Sequence, residues 1–197
     1  MLRLGLTGGI ASGKSAVAGM LREIGFAVLD ADSLGHALIE PGQPAYEEVI
    51  RVFGPSVLDG NQSIDRGKLG AVVFADRAKL DALNAIVHPR VKAEIVRRFA
   101  ELARDEVRAA FVEAALLVEA GYLDELDGLV VTWSRPEQQM ARLRERGLSE
   151  EEARRRIAAQ MPVEEKLKFA MEKIDCSGKM EETRRQVETL AAKIRAH

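Results

Sequence analysis

The chain reads Gly8-Gly9-Ile10-Ala11-Ser12-Gly13-Lys14-Ser15 near its start, and this G-x-x-x-x-G-K-[ST] stretch decides its fold. Its glycines allow the backbone to curl so that successive N–H groups point into one concavity, to which the following helix adds the positive end of its dipole. Such a nest binds phosphate. Lys14 would reach the β- and γ-phosphates of a nucleotide, and the Ser15 hydroxyl would be a ligand of the Mg²⁺ ion that bridges them.

The residues on either side of this phosphate loop carry the periodicities of a strand and a helix. Leu2–Thr7 reads as a short strand. Apolar residues at helical spacing follow the loop, namely Val17, Met20, Leu21 and Ile24. The alternative, a glycine-rich turn that binds nothing, does not explain why a lysine and a hydroxyl stand together at the helix start. We therefore expect the loop, together with Ala16, to bind the phosphates of a nucleotide.

Composition favours a small-molecule enzyme. The chain has 197 residues, of which 47% are hydrophobic, enough for one substantial core and a subdomain or two. Its 31 acidic residues nearly balance its 29 basic ones, so no overall field attracts nucleic acid or an anionic membrane. The single cysteine, Cys176, excludes an intramolecular disulfide, and we interpret it as a packing or loop residue. The absence of an apolar signal segment and of an 18-residue apolar run indicates a cytoplasmic protein without membrane contact.

Two acidic residues follow the second predicted strand. Phe26–Leu29 reads as a buried strand that ends in Asp30-Ala31-Asp32. Because the carboxyl ends of parallel strands line the ligand crevice, we expect Asp30 and Asp32 to face the phosphate loop, where they can bind Mg²⁺-coordinated water or accept a proton. The alternative for Asp32 is structural: its side chain would cap the helix that follows.

These motifs and several later ones resemble, in order, the pattern of the dephospho-coenzyme A kinase family. The resemblance begins with Thr7 and the phosphate loop, continues through Asp30-Ala31-Asp32 and Glu40-Pro41-Gly42, and extends from about residue 4 to residue 178. The later matching segments are Phe53-Gly54, Arg66 with Leu69 and Phe74, Leu83-Asn84-Ala85-Ile86-Val87-His88-Pro89, Leu116-Leu117-Val118-Glu119, and Gln139-Met140-Ala141-Arg142 with Arg146. The chain departs from the family pattern at Ala115, where proline is usual, at Cys176, where asparagine is more frequent, and near Met171, where an acidic residue is.

The resemblance implies transfer of the γ-phosphoryl group of ATP, with Mg²⁺, to the ribose 3′-hydroxyl of dephospho-coenzyme A, the last step of coenzyme A synthesis. Together with the geometric argument for Asp32, it makes Lys14, Asp32 and Arg142 the expected catalytic residues. The expected substrate-binding residues are Thr7, Asp30, Asp32, Arg66, His88 and Glu119. The small-molecule acceptor is the partner we expect, for a monomer or small homo-oligomer that binds no nucleic acid.

Arg142 stands in a region rich in charge. Seven arginines and five glutamates lie between Arg135 and Arg156, and most of them are typical of a solvated helical surface with i,i+4 pairs. Arg142 is the exception that we favour, because the resemblance places it on the lid arginine of the family. A planar guanidinium group there would stabilise phosphoryl charge as it develops.

The whole pattern predicts an α/β fold, with a parallel five-stranded sheet of the P-loop NTPase type, helices on both faces, a helical substrate-binding insert and a helical lid. The predicted parts are a nucleotide-binding core at 1–33, a helical acceptor-binding insert at 34–105, further core at 106–134, a lid at 135–160, and a final core strand and helix at 161–197. The remaining core strands are predicted at Ala109–Glu113, Leu126–Trp133 and Lys173–Gly178.

Two residues of this plan have alternative interpretations. Taken alone, His88-Pro89 is typical of a helix start with proline in the first turn, whereas the resemblance favours a contact between His88 and the coenzyme A moiety. Glu113 ends its strand at a Walker-B-like position, whereas the resemblance favours Glu119 for the acceptor site.

Two other functions would use the same phosphate loop. A GTPase-type switch is suggested by Asp32-Ser33-Leu34-Gly35, which matches D-x-x-G, but that pattern is short and the chain contains no N-K-x-D guanine-reading motif. A P-loop kinase that acts on a nucleoside monophosphate or a small alcohol is the nearer alternative. The identity of the acceptor distinguishes it from a dephospho-coenzyme A kinase.

Overall fold

A computed structural model describes residues 1–196, which pack into two units. The first unit joins Met1–Leu29 to the chain from Phe99 onward, and the second is the continuous stretch Asp30–Arg98. The elements, in chain order, are β1 (Leu2–Gly8), α1 (Lys14–Glu23), β2 (Ala27–Asp30), α2 (Ala31–Leu38), α3 (Tyr46–Phe53), α4 (Arg66–Phe74), α5 (Arg77–Arg104), β3 (Ala109–Glu113), β4 (Gly128–Trp133), α6 (Pro136–Glu145), α7 (Glu150–Ala158), α8 (Val163–Leu167), β5 (Glu172–Asp175) and α9 (Met180–Ala196).

The first unit is built on a five-stranded sheet with the strand order β2-β3-β1-β4-β5. Strand β1 pairs in parallel with β3 on one side and with β4 on the other, and β4 pairs in parallel with β5. Every residue of β3 is buried, as expected for a strand of a parallel sheet that is covered on both faces. The predicted α/β fold with a five-stranded parallel sheet is confirmed.

The core of the first unit joins this sheet to helices α1 and α9. Leu6 of β1 and Phe111 of β3 are buried in the same cluster as Val17 and Leu21 of α1 and Leu190 of α9. The apolar residues of α1 recur at helical spacing and so form one buried stripe. Packing of that stripe fixes the first turn of α1, and with it Lys14, just beyond the carboxyl end of β1.

The second unit has a core of its own. Tyr46 and Val49 from α3, Leu69 and Val73 from α4, and Ile86 from α5 are buried together. They come from the apolar faces of three helices. The second unit can therefore be described as a separate packed body made largely of helices.

One turn of the second unit, between Leu58 and Ile64, lies outside its helices. Leu58 and Ile64 form an isolated antiparallel bridge. Between them the Asp59 carboxylate accepts hydrogen bonds from the backbone N–H groups of Asn61 and Ser63, at 2.8 and 2.9 Å. Such a side-chain contact stabilises a turn in place of a helix.

The interpretation of His88-Pro89 as a helix start is wrong, because both residues lie inside the 28-residue helix α5. Proline removes one backbone hydrogen bond from a helix interior. The carbonyl oxygen that loses its backbone donor is that of Ala85, and the neighbouring carbonyl oxygen of Ile86 accepts from Arg90 Nη1 at 2.5 Å. Buried residues on both sides of the proline, Ile86 and Val91, keep the helix continuous.

Candidate active site

The phosphate loop connects β1 to α1 and closes on itself. Ser12 N donates to Gly9 O at 3.1 Å, and the N–H groups of Ala16 and Val17 donate to Gly13 O at 3.0 and 3.1 Å. Gly13 caps the helix with a φ of 98°, in the left-handed region that glycine adopts without strain. The remaining N–H groups at the start of α1 form the positive end of the helix dipole.

The carboxyl end of β4 packs tightly against this loop. A Cβ atom added to Gly8 would lie 2.1 Å from Thr132 Oγ1 and 2.6 Å from the Thr132 carbonyl oxygen. Thr132 Oγ1 lies 2.7 Å from Ser12 Oγ and donates to Thr7 O at 3.2 Å. Glycine at position 8 is therefore required by close approach, and buried hydroxyl groups hold the loop to the sheet.

A cavity of about 360 Å³ opens beside the loop, a size in the range of ordinary ligand pockets. Its walls are phosphate-loop residues Gly9 to Ser15, with Ala16, Ala115, Arg142, Arg146, Gln160, Cys176, Gly178, Met180 and Thr183. All of these residues belong to the first unit. Within this phosphate-loop cavity Lys14 is half-buried and Ser15 is exposed, so an ammonium group and a hydroxyl oxygen are available to a ligand.

Arg142 reaches the phosphate-loop cavity from α6. Its Nη1 donates to the Ala11 carbonyl oxygen at 2.9 Å, and its Nη2 donates to the Cys176 carbonyl oxygen at 2.8 Å. By contrast, Arg154 of α7 forms an exposed i,i+4 pair with Glu150. The structure thus places Arg142 at the loop and Arg154 on the solvated surface.

Cys176 is a packing residue, as predicted. Its side chain is buried, and a Cβ atom added to Gly13 would lie 2.7 Å from the Cys176 sulfur. Burial raises the pKa of the Cys176 thiol to about 11.

Two predicted site residues near the cavity are engaged in structural contacts. The fully buried hydroxyl of Thr7 donates to Ala115 O at 3.2 Å. Glu119 forms an ion pair with Lys166, with a distance of 2.9 Å between Lys166 Nζ and Glu119 Oε1. Glu113, the alternative acid, is buried and lies 3.8 Å from the guanidinium group of Arg22.

Sequence reasoning missed two residues of this region, Gln160 and Lys166. Gln160 Oε1 accepts a hydrogen bond from the N–H group of Ile10 in the phosphate loop, at 2.7 Å. Lys166 is fully buried in α8 and donates to Ala115 O at 2.5 Å. No local signal marks either residue, because Lys166 lies in an ordinary charged run and Gln160 follows an ordinary surface helix.

The second unit contains the other predicted site residues. Asp30 caps α2, because its carboxylate accepts hydrogen bonds from the N–H groups of Asp32 and Ser33 at 3.0 and 3.1 Å. The alternative in which Asp32 is the cap is therefore wrong: a cap precedes the first helical turn, whereas Asp32 lies within it, and its side chain is exposed.

Arg66 and His88 also lie in the second unit. Arg66 Nη2 is 3.0 Å from His36 Nε2. Burial, together with the charge of Arg66, lowers the pKa of His36, and burial alone lowers the pKa of His88. Both imidazole groups therefore favour the neutral form more than a solvated histidine does.

Residues 1–196 lack two kinds of feature. No group of three or more His, Cys, Asp or Glu side chains there is arranged to hold a metal ion. None of the helices in that range combines the length and apolarity that a membrane crossing needs.

Comparison with known proteins decides the family. A family model described as dephospho-CoA kinase matches residues 2–182. The chain belongs to the dephospho-CoA kinase family. This confirms the family that the sequence motifs resemble.

Individual relatives agree over nearly the whole chain. The dephospho-CoA kinase of Geobacillus kaustophilus is 45% identical over 187 residues, which cover 94% of this chain and 93% of the relative. The solved dephospho-CoA kinase of Campylobacter jejuni has a TM-score of 0.75 and 28% identity, and the match covers 98% of this chain and 96% of that one. A Thermus thermophilus protein of known structure has a TM-score of 0.82 and 37% identity, with 98% and 97% of the two chains covered.

Proposed function

We propose that this chain transfers the γ-phosphoryl group of ATP to the ribose 3′-hydroxyl of dephospho-coenzyme A, which yields coenzyme A and ADP in the final step of coenzyme A biosynthesis. The observation that carries the proposal is the phosphate-loop cavity, in which Lys14 and Arg142 present two positive groups beside the loop, in a chain of the dephospho-CoA kinase family. Phosphoryl transfer depends mainly on positioning and on stabilisation of phosphoryl charge, and this cavity supplies both.

On the nucleotide side, the N–H groups of the loop and of the first turn of α1 bind the β-phosphate. Lys14 carries its charge to the β- and γ-phosphates, and the Arg142 guanidinium stabilises charge on the transferring group. The exposed hydroxyl of Ser15 is a hard oxygen ligand that fits Mg²⁺, which when bound neutralises the phosphate oxygens.

On the acceptor side, we assign the second unit to dephospho-coenzyme A and residues 135–160 to a lid. The exposed Asp32 carboxylate accepts the proton of the 3′-hydroxyl as that oxygen bonds to the γ-phosphorus. The bond from the γ-phosphorus to the bridging oxygen breaks, and its electron pair leaves with ADP. Arg66 and His88 are the proposed contacts to the acceptor.

The test is ADP release from ATP and Mg²⁺ with a panel of acceptors: dephospho-coenzyme A, nucleoside monophosphates and small alcohols. We expect turnover only with dephospho-coenzyme A and a phosphorylated product in the mass spectrum. Lys14→Ala is the matched inactive variant, and its rate should fall at least about tenfold, because loss of this charge-assisted contact costs at least about 1.4 kcal/mol. Preference for another acceptor would overturn the proposal.

A further inference from the structure

Lys166 is a buried lysine that lies outside the phosphate-loop cavity. Its side chain has no exposed surface, and its Nζ contacts Glu119 at 2.9 Å and the Ala115 carbonyl oxygen at 2.5 Å. A buried ion pair is costly to desolvate, and well-packed apolar side chains of similar volume often stabilise a fold as well or better. Stability alone therefore gives no reason for a charged residue at position 166.

Glu119 also contacts the segment that precedes α8. Its Oε1 accepts a hydrogen bond from the backbone N–H group of Met161 at 3.1 Å. The Lys166 ammonium group holds the same oxygen, so the carboxylate is fixed between α8 and the chain that enters it. Met161 follows Gln160 directly, and its position therefore sets where the Gln160 side chain begins.

Gln160 connects this arrangement to the phosphate loop. Its Oε1 accepts from the Ile10 N–H group at 2.7 Å, and the residue lines the phosphate-loop cavity. The side-chain carbonyl oxygen of Gln160 is thus bonded to the loop. Its Nε2 amide group can donate a hydrogen bond to a phosphate oxygen. Gln160 is the point at which contacts that start at Lys166 reach the cavity.

We propose that Lys166 is a positioning residue for phosphoryl transfer, which holds Glu119 so that the backbone of Met161 sets Gln160 against the Ile10 N–H group. The inference rests on the proposed function. It gives Glu119 a positioning role in place of the acceptor contact expected from its sequence motif. It also makes Gln160 a residue that touches the bound nucleotide.

A double-mutant cycle on turnover tests the proposal, with Lys166→Met and Gln160→Ala as the two changes. Each variant should lower kcat at least about tenfold while the KM for ATP stays within about threefold, since the loop and Lys14 remain. Because Lys166 acts through Gln160, kcat of the double variant should lie within about threefold of the slower single variant. Losses that multiply, to at least about a hundredfold, would overturn the proposal.

Lys168→Met is the matched control. Lys168 lies two residues further along the chain, and its side chain is 65% exposed. Within residues 1–196 its one salt bridge is to Glu165. Its kcat should stay within about twofold of wild type. If Lys166→Met is not folded at the assay temperature, Glu119→Gln replaces it in the same cycle, because it keeps the side-chain shape and removes the charge that Lys166 holds.

A second readout does not depend on activity. Hydrogen exchange of the Ile10 amide, measured without nucleotide, should quicken at least about tenfold in both Gln160→Ala and Lys166→Met, and not in Lys168→Met. Wild-type transfer to dephospho-coenzyme A, combined with a folded Lys166→Met that keeps its kcat and its Ile10 protection, would overturn this inference and leave the function standing. Absence of transfer by the wild type would overturn the proposed function. The hydrogen-exchange rates would still show whether Lys166 positions Gln160 against the Ile10 N–H group.

Discussion

Arg142 combines two tasks in one guanidinium group. It bridges the carbonyl oxygens of Ala11 and Cys176, and it lines the phosphate-loop cavity. The backbone contacts fix its planar group without using the whole of its donor capacity, because arginine has five N–H donors. A cation held in this way can act on charge that appears during the reaction.

We predict that Arg142→Ala lowers turnover by roughly 10³-fold or more while ATP binding changes far less, as for other arginines that stabilise a phosphoryl transition state. Steady-state rates and ATP affinity measure the difference. Arg154→Ala, on the exposed surface of α7, is the control and should stay near wild type. An Arg142→Ala rate within threefold of wild type would place Arg142 among the ordinary surface arginines.

Asp30 and Asp32 are separated by one residue, and we expect them to have different roles. Asp30→Ala should destabilise the fold by about 1 kcal/mol, because α2 loses its cap. Asp32→Asn should leave the melting temperature close to wild type and lower turnover about 10²-fold or more, the usual contribution of a positioned base. Thermal unfolding and steady-state kinetics of the two variants separate the roles. Wild-type turnover in Asp32→Asn would mean that another group accepts the proton.

At the scale of the elements, strand β1 ends in a glycine that tolerates no side chain, whereas helix α1 contains a glycine that does. Gly8→Ala would bring a Cβ atom to within 2.6 Å of the Thr132 carbonyl oxygen, whereas Gly19→Ala in the middle of α1 meets no atom within 4 Å. We predict a loss of about 2 kcal/mol or more for Gly8→Ala and a gain of about 0.5–1 kcal/mol for Gly19→Ala. Urea unfolding measures both. Equal effects at the two positions would contradict the close packing of β4 on the loop.

Helix α5 contains an ion-pair cluster whose effect depends on pH. Hydrogen bonds and charges from Arg97 and Arg98 lower the pKa of Glu94 to about 2, from 4.5. A depressed folded-state pKa stabilises the protein above the unfolded pKa, and the stabilisation is lost as pH falls from about 4.5 towards 2.

We therefore predict that Glu94→Gln is less stable than wild type at pH 7 and that the difference shrinks between pH 5 and pH 2. Urea unfolding at several pH values measures it. Glu150→Gln is the matched control, since Glu150 pairs with Arg154 at the same i,i+4 spacing as Glu94 with Arg98 but is exposed. A difference that is constant with pH would show that the Glu94 carboxylate is not specially stabilised.

Elements that depend on near neighbours in sequence were predictable. The strand, phosphate loop and first helix follow from local periodicity and glycine placement, and the buried third strand follows from its apolar run. The prediction of a helix start at His88-Pro89 failed because burial of one face of α5 outweighed the local preference of proline for the first turn of a helix. The roles of Gln160 and Lys166 could not be predicted from the sequence. Their contacts, to Ile10 and Ala115, span 150 and 51 residues, and no local pattern encodes such pairs.

For the molecule as a whole, the reactivity of Cys176 reports on whether the chain is folded, since it is the one cysteine of the chain. With a pKa of about 11, roughly one thiol in a thousand is ionised at pH 8, against about a quarter for a free cysteine. We predict that an aromatic disulfide reagent reacts with the native protein several hundredfold more slowly than with the unfolded chain. ATP should slow it further, because Cys176 lines the phosphate-loop cavity. Reaction of the native protein as fast as in denaturant would contradict the burial.

The sheet order has a consequence for the growing chain. Strand β1 is made first, yet its neighbours are β3 and β4, and the cavity walls include Cys176, Met180 and Thr183. At about 5–20 residues per second, synthesis from the phosphate loop to Thr183 takes roughly 10–30 s. The second unit is one continuous stretch and is fully synthesised during that interval. A nascent chain thus contains every residue of the second core before Cys176, Met180 and Thr183 are made, and we expect nucleotide binding to appear late in translation.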